Sequence, residues 1–287
     1  MDHAKLARML SEIDNSYLQP SKIKEIRFYS QSLFPLYKAI VGDIMIAIKE
    51  IQLEEMANSE YEALKFLGEN GVSVPKLYGK VSLDKKHYIL MEFIESGGRL
   101  LSKNLYETLS LLYSIQSDFW GWENNNFIGS IYQKNNLHKS FLTFWWEDRI
   151  LQQAAIAEKK SLVSRETISV LESLVLEATQ KWGLEKLTPR LIHGDLWSGN
   201  VITSQSGKVY LIDPCIAYSH LEQDLGMATL FGGFPSEWIR WIEKDFNLRG
   251  IKERIPFWQL YPVLVHINIF GRSYIPSLEN IILSLRA

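Results

Sequence analysis

The chain has 287 residues, 46% of them apolar and nine of them tryptophan, enough for one large domain or two smaller ones around a sizeable core. A formal net charge of −2 excludes the strongly basic signature of a nucleic-acid binder or a polybasic membrane protein. The single cysteine, Cys215, excludes an internal disulfide and suits a reducing compartment.

Met1-Asp2-His3-Ala4-Lys5 does not lead into a signal-peptide core, and no uninterrupted apolar run reaches membrane-spanning length. A soluble cytoplasmic protein is therefore expected. Leu6, Met9, Leu10 and Ile13 recur at helical spacing and predict a short amphipathic helix over Lys5 to Ile13, ended before Pro20. Ile26 to Tyr29, Tyr37 to Val41 and Ile44 to Ile51 read as strands, with Gly42-Asp43 as a hairpin turn.

In the third strand, period-two alternation puts Lys49 on one face with Met45, Ala47 and Ile51. A lysine on an apolar face needs an anion; the other reading is an edge-strand lysine whose stem carries its charge outward to water. The next helix, Glu54 to Glu69, has Met56, Glu60, Leu64 and Leu67 on one face. An acid inside an apolar stripe is costly unless paired. Lys49 and Glu60 are thus a candidate pair. Glu62 is the second choice, pointing away from Leu64, and two unrelated surface charges are the plain alternative.

Lys86 to Ile94 reads as a further strand, ending at the flexible Gly97-Gly98. Beyond it the pattern turns helical over Asn104 to Ser117 and Thr167 to Trp182, with a loop expected around Trp120-Gly121-Trp122 and Asn124-Asn125-Asn126. Phe144 to Leu151 carries aromatics at helical spacing and reads as core. Ser236 to Ala287 adds helices rich in Trp and Ile without a recognisable motif.

The densest chemistry lies in His193-Gly194-Asp195-Leu196-Trp197-Ser198-Gly199-Asn200. Apolar runs flank it at Arg190 to Ile192 and Val201 to Thr203, and Val209 to Ile212 leads to Asp213. Phosphoryl transfer from a nucleotide requires a group to orient the attacking hydroxyl and oxygen ligands to hold Mg²⁺ against the phosphates. The spacing His-x-Asp-x-x-x-x-Asn is that of a kinase catalytic loop, and Asp213 stands where the magnesium-binding Asp of such enzymes falls. An Asp/Asn-rich turn between strands is the plain alternative for this one motif.

The loop resembles that of the fructosamine kinase (ketosamine 3-kinase) family, in the aminoglycoside-phosphotransferase-like branch of the protein-kinase fold. Further matches are Asn126-Phe127-Ile128-Gly129-Ser130 with Gln133 and Asn135, Asp213-Pro214 with Tyr218, His220, Glu222 and Asp224, and Phe231-Gly232-Gly233-Phe234. The resemblance implies an α+β, protein-kinase-like bilobal fold. Residues 1–95 would form a small lobe with an antiparallel sheet and one key helix, and 96–287 a larger, mostly helical lobe.

It also implies ATP and Mg²⁺ as cofactors, and roles for single residues. Lys49 would bind the α/β-phosphates, held by Glu60, and the backbone of Glu92, Phe93 and Ile94 would meet the adenine. Kinases of this kind carry a glycine-rich turn between the first two strands. The stretch Tyr29 to Tyr37 has no glycine, leaving Ser30, Gln31 and Ser32 to offer donors. Asp195 would accept or orient the proton of the attacking hydroxyl, and Asn200 and Asp213 would coordinate Mg²⁺. Trp197, Asn126 and Gln133 would face the substrate, while His193 and Asp224 would brace the loop.

The substrate so implied is a ketosamine, free or on a glycated protein as in protein deglycation, handled by a monomer with no nucleic-acid or membrane partner. No Asp-Phe-Gly or Ala-Pro-Glu motif points to an activation loop and a protein hydroxyl. Two alternatives stay open: another small hydroxyl acceptor, such as an aminoglycoside or choline, or a degenerate nucleotide-binding protein. The glycine-free turn speaks for the last, and the complete set Lys49, Glu60, Asp195, Asn200 and Asp213 speaks for an enzyme.

Overall fold

Helix α1 (His3–Glu12) begins where the Asp2 carboxylate accepts the Lys5 N–H at 2.8 Å, and it buries Leu6, Met9 and Leu10. The computed structural model describes residues 1–13, 15–31 and 33–286. Two units divide it, Met1–Arg99 with Val201–Asp213 and Leu100–Asn200 with Pro214–Ala287.

In the first unit, β1 (Ile23–Gln31), β2 (Pro35–Val41), β3 (Ile44–Ile51), β4 (Leu77–Leu83) and β5 (Lys86–Glu92) form an antiparallel sheet in the order β1-β2-β3-β5-β4. Gly42 takes φ +61° in the two-residue β2–β3 turn, a conformation such hairpins require. Strand β3 lies at the centre, and its alternation serves two cores. Ile46 and Ile48 pack with Leu6, Met9, Tyr88 and Leu90 on the α1 side. Ala47 packs with Met91, Phe93 and Leu64 of α2 (Glu54–Glu69) on the other. Lys49 therefore faces α2. The hairpin Val201–Thr203/Val209–Leu211 joins this unit by backbone bonds: the Leu211 N–H donates to Ser73 O at 2.9 Å and the Gly97 N–H to Thr203 O at 3.3 Å.

Helices carry most of the second unit, the longest being Arg165–Lys181 and Ile251–Phe270. Its core is aromatic: Phe141, Phe144, Trp145, Phe257, Trp258 and Tyr261 are all buried, with Trp145 edge-on to Trp258 at 4.9 Å. Phe144–Leu151 winds as a π-helix. The loop expected around Trp120 and Asn126 is instead partly strand. Trp120–Gly121 pairs with Leu137–His138 and with Tyr218, and Asn126–Ile128 pairs with Ile131–Gln133. The reason is burial: Trp120 and Ile128 sit in the aromatic core at 2% exposure, so their backbone groups must find partners within the protein. Among the described residues no helix is long and apolar enough to cross a membrane. The fold is α+β.

Candidate active site

Lys49 donates to both carboxylate oxygens of Glu60, at 2.8 and 2.7 Å, and to Asp213 Oδ1 at 2.8 Å. The lysine and the glutamate are buried, whereas the Asp213 side chain is 37% exposed. Glu62 is exposed. Asp213 ends the segment Val201–Asp213 in the left-handed region, at φ +53°, which Asp tolerates better than most residues. Burial alone would depress the Lys49 ammonium. Asp213 and Glu60 outweigh it, so the net shift is upward. Burial raises the Glu60 carboxyl, and Asp213 adds to that rise against the pull of Lys49. One ammonium thus serves two carboxylates, and the group carries a surplus of negative charge.

In the second unit, the strand Arg190–Ile192 feeds the loop that begins at His193. Asp224 holds the start of that loop: the His193 N–H donates to its Oδ2 at 2.8 Å and the Gly194 N–H to its Oδ1 at 2.9 Å. The Tyr113 hydroxyl adds a third bond at 3.2 Å. Burial raises the Asp224 carboxyl to about 7, opposed by these three bonds, which favour its charged form. His193 is fully buried, and its Nδ1 accepts the Asp195 N–H at 3.3 Å. Its carbonyl accepts the Cys215 N–H at 2.9 Å. Gly194 stands at φ +81°, and a Cβ there would lie 1.9 Å from the Cys215 carbonyl oxygen, so only glycine fits. Downstream, the Asn200 amide nitrogen donates to the Asp195 carbonyl and to its carboxylate Oδ2, both at 2.9 Å. The Asp195 carboxylate is thereby tied to the residue five positions along.

The ring of Trp197 is 39% exposed and lies against Gly199, where a Cβ would come within 2.2 Å of it. Asn126 and Gln133, read as a substrate wall, sit instead inside the unit at 6% and 1% exposure. Gln133 Nε2 donates to Asn126 Oδ1 at 2.9 Å and to Cys215 Sγ at 3.3 Å, and Asn126 Nδ2 donates to the Ile216 carbonyl at 3.0 Å. The Tyr261 hydroxyl donates to Gln133, and Arg149 donates to Asn135, which donates to Asn126. This buried network braces Cys215 and Ile216. Burial pushes the Cys215 thiol up to about 12, so it stays protonated.

In the first unit, the N–H groups of Glu92 and Phe93 are spent on Lys76 O at 2.8 Å and Met45 O at 3.1 Å. A base docking at Glu92, Phe93 and Ile94 would use other backbone groups of that segment. Ser32 lies outside the described residues. Tyr113 and Tyr261 also join these networks, and they sit on apolar helical faces where nothing in the local sequence marks a polar duty. Taken each in its own unit, the Asp213 carboxylate and Asn200 Oδ1 are hard oxygens, and the Asn200 nitrogen is already committed to Asp195. Among the described residues no group of three or more His, Cys, Asp or Glu side chains gathers as a metal site. Few protein oxygens of this kind suit Mg²⁺, which leans on substrate phosphates and water.

The fold is that of the phosphotransferase class. A thermostable mutant of an aminoglycoside phosphotransferase, solved with AMP-PNP and hygromycin B, superimposes with a TM-score of 0.66 at 10% identity, covering 97% of this chain and 98% of that one. A candidate fructosamine-3-kinase from Haemophilus somnus 129PT superimposes with a TM-score of 0.85 at 23% identity, covering 98% and 97%. A probable ketoamine kinase of Enterococcus faecium is 35% identical over 215 residues, 74% of this chain and 76% of that protein. The chain belongs to the fructosamine kinase family, whose model it matches over residues 4–287.

Proposed function

We propose that the protein is an ATP-dependent kinase acting on ketosamines, fructose or ribulose units joined to an amine. The acceptor's 3-hydroxyl oxygen would form the new bond to the γ-phosphorus as the bond to the β-phosphate oxygen breaks and ADP leaves. The observation that carries the reading is the Asp195 carboxylate, pinned by Asn200 in a loop whose backbone is held by Asp224. In this reading Asp195 orients the attacking hydroxyl and takes its proton. Lys49, steadied by Glu60, binds the α/β-phosphates, and the Glu92–Ile94 backbone meets the adenine. Mg²⁺, held by Asn200 Oδ1 and Asp213, would neutralise charge developing on the phosphates.

Trp197 offers the acceptor a flat apolar wall. Asn126 and Gln133 act from behind, by bracing Cys215 and Ile216. The acceptor is a ketosamine, free or on a glycated protein, the protein acts as a monomer, and a single buried thiol suits the reducing cytoplasm.

The test is Mg²⁺-dependent ADP release from ATP with and without a model fructosamine and a ribulosamine, with Asp195→Asn as control. Ketosamine-stimulated turnover that vanishes in the variant is expected. Stimulation by choline or an aminoglycoside alone would reassign the acceptor, and failure to bind ATP would overturn the kinase reading.

A further inference from the structure

The second unit holds a cavity of about 440 Å³ that shares no residue with the catalytic loop, within the size range of small-molecule sites. Its walls come from Trp182 to Arg190, from His220, and from Phe246 to Arg254, and its charged lining is Lys186, Arg190, Arg249 and Arg254 with no carboxylate. Only one of these four cations is neutralised by a described carboxylate. Arg254 Nε donates to the two oxygens of Glu222 at 3.1 and 2.9 Å, and Glu222 is fully buried and also takes the Trp258 Nε1–H. Arg190, half-buried, donates to the neutral Tyr113 carbonyl at 2.7 Å, and its guanidinium lies over the Phe246 ring at 5.1 Å. Lys186 and Arg249 are exposed at the rim.

His220 is 5% exposed, stacked on Trp258 at 5.6 Å, and its Nδ1 has no hydrogen-bond partner among the described residues. A buried ring nitrogen left unpaired is costly, so such a group in a cavity wall is a ready partner for a ligand oxygen. Three cations without a carboxylate exceed what a monocarboxylate needs, and guanidinium forks match phosphate oxygens. The rings of Phe246 and Trp182 supply an apolar wall for an organic remainder.

We propose that this cavity binds a small organic phosphate, with its dianionic group between Lys186, Arg190 and Arg249 and one oxygen at His220 Nδ1. The site stands independently of the kinase reading, because it is tested by binding and not by turnover.

The experiment is calorimetric titration of the intact protein with glucose 6-phosphate, with glucose, gluconate and inorganic phosphate as comparison probes, each in the presence and absence of AMP-PNP. The double variant Lys186→Ala/Arg249→Ala removes two exposed side chains and should leave the thermal midpoint unchanged. The expected result is binding of glucose 6-phosphate, none of glucose, weaker binding of phosphate alone, and a loss of about tenfold or more in the double variant. AMP-PNP should leave the titration unchanged. The proposal falls if glucose 6-phosphate binds no tighter than glucose or gluconate, if the double variant binds it equally well, or if AMP-PNP displaces it. Retained binding by a folded Arg190→Lys variant, with the fork lost, would overturn the part given to Arg190.

Discussion

Lys49 and Glu60 meet head-on: one ammonium lies 2.8 and 2.7 Å from the two oxygens of one carboxylate, in surroundings that leave the residues 7% and 9% exposed. Replacing Lys49 with Met would leave Glu60 and Asp213 facing each other without a cation. Removing one partner of a buried pair typically costs about 3–5 kcal/mol. Here Glu60 can take up a proton and Asp213 has access to water, so about 2 kcal/mol is the expected loss, read from urea unfolding. Ketosamine-dependent ADP release should fall at least ~100-fold, the scale of losing one charge-stabilising donor.

Asp195→Asn should cut turnover by orders of magnitude without unfolding the protein. The Asn200 amide keeps an oxygen to donate to, along with the Asp195 backbone carbonyl. General-base assistance is worth roughly 10²–10⁴-fold, and kcat should drop by that much with the thermal midpoint within a degree or two of the parent. A variant retaining a tenth of the parent kcat would remove Asp195 from the proton path.

Asp224 should make stability fall with pH. Burial holds its carboxyl at about 7 in the folded protein, above an ordinary value of 3.8. A raised folded value means the native state keeps the proton longer, so the stabilisation is full below about pH 4 and is lost as pH rises towards 7. Asp224→Asn removes that titration and offers one oxygen to two N–H donors, costing about 2 kcal/mol in its own right. The margin of parent over variant, from unfolding midpoints at pH 4, 5.5 and 7, should shrink by about 1–3 kcal/mol. A margin constant with pH would show that Asp224 titrates normally.

Two glycines separate conformational strain from collision. Gly183 stands at φ +62° with nothing within 4 Å of the place a side-chain methyl would occupy, so Gly183→Ala should cost about 1 kcal/mol from the backbone alone. Gly194→Ala adds a collision with the Cys215 carbonyl at 1.9 Å. A loss of about 3 kcal/mol or more is expected, with activity lost alongside, because the loop start must move off Asp224. Thermal unfolding of both variants checks the contrast.

Trp197→Ala should separate acceptor binding from chemistry. The ring is 39% exposed and touches Gly199, so its removal leaves the fold intact. KM for the ketosamine should rise about tenfold, as expected for losing an exposed aromatic wall worth ~1.4 kcal/mol, with KM for ATP unchanged. An unchanged ketosamine KM would take Trp197 out of the acceptor site.

Much of the first unit was readable one strand at a time. The turn at Gly42-Asp43, the helix Glu54–Glu69 and the face of Lys49 follow from periods of 2 and 3.6, which depend only on neighbours in sequence. The loop from His193 to Asn200 was readable for the same reason, since the bond from Asn200 to Asp195 spans five residues. Asn126 and Gln133 were not. The family resemblance set them facing the substrate, whereas they are buried, and the hydroxyl that donates to Gln133 belongs to Tyr261, 128 residues further on.

The sequence by itself determined the local chemistry: which carboxylate, carboxamide and lysine are present, and which face of its own element each takes. Only the tertiary structure decided that Asp213, 164 residues from Lys49, shares its ammonium with Glu60. It likewise decided that Asp224 caps the amides of His193 and Gly194, and that three separate segments line a cationic cavity around His220. Local pattern follows from backbone geometry repeated every few residues. Long-range pairing is set by which buried polar group finds a partner once the apolar faces have packed, and no single stretch of chain contains that information.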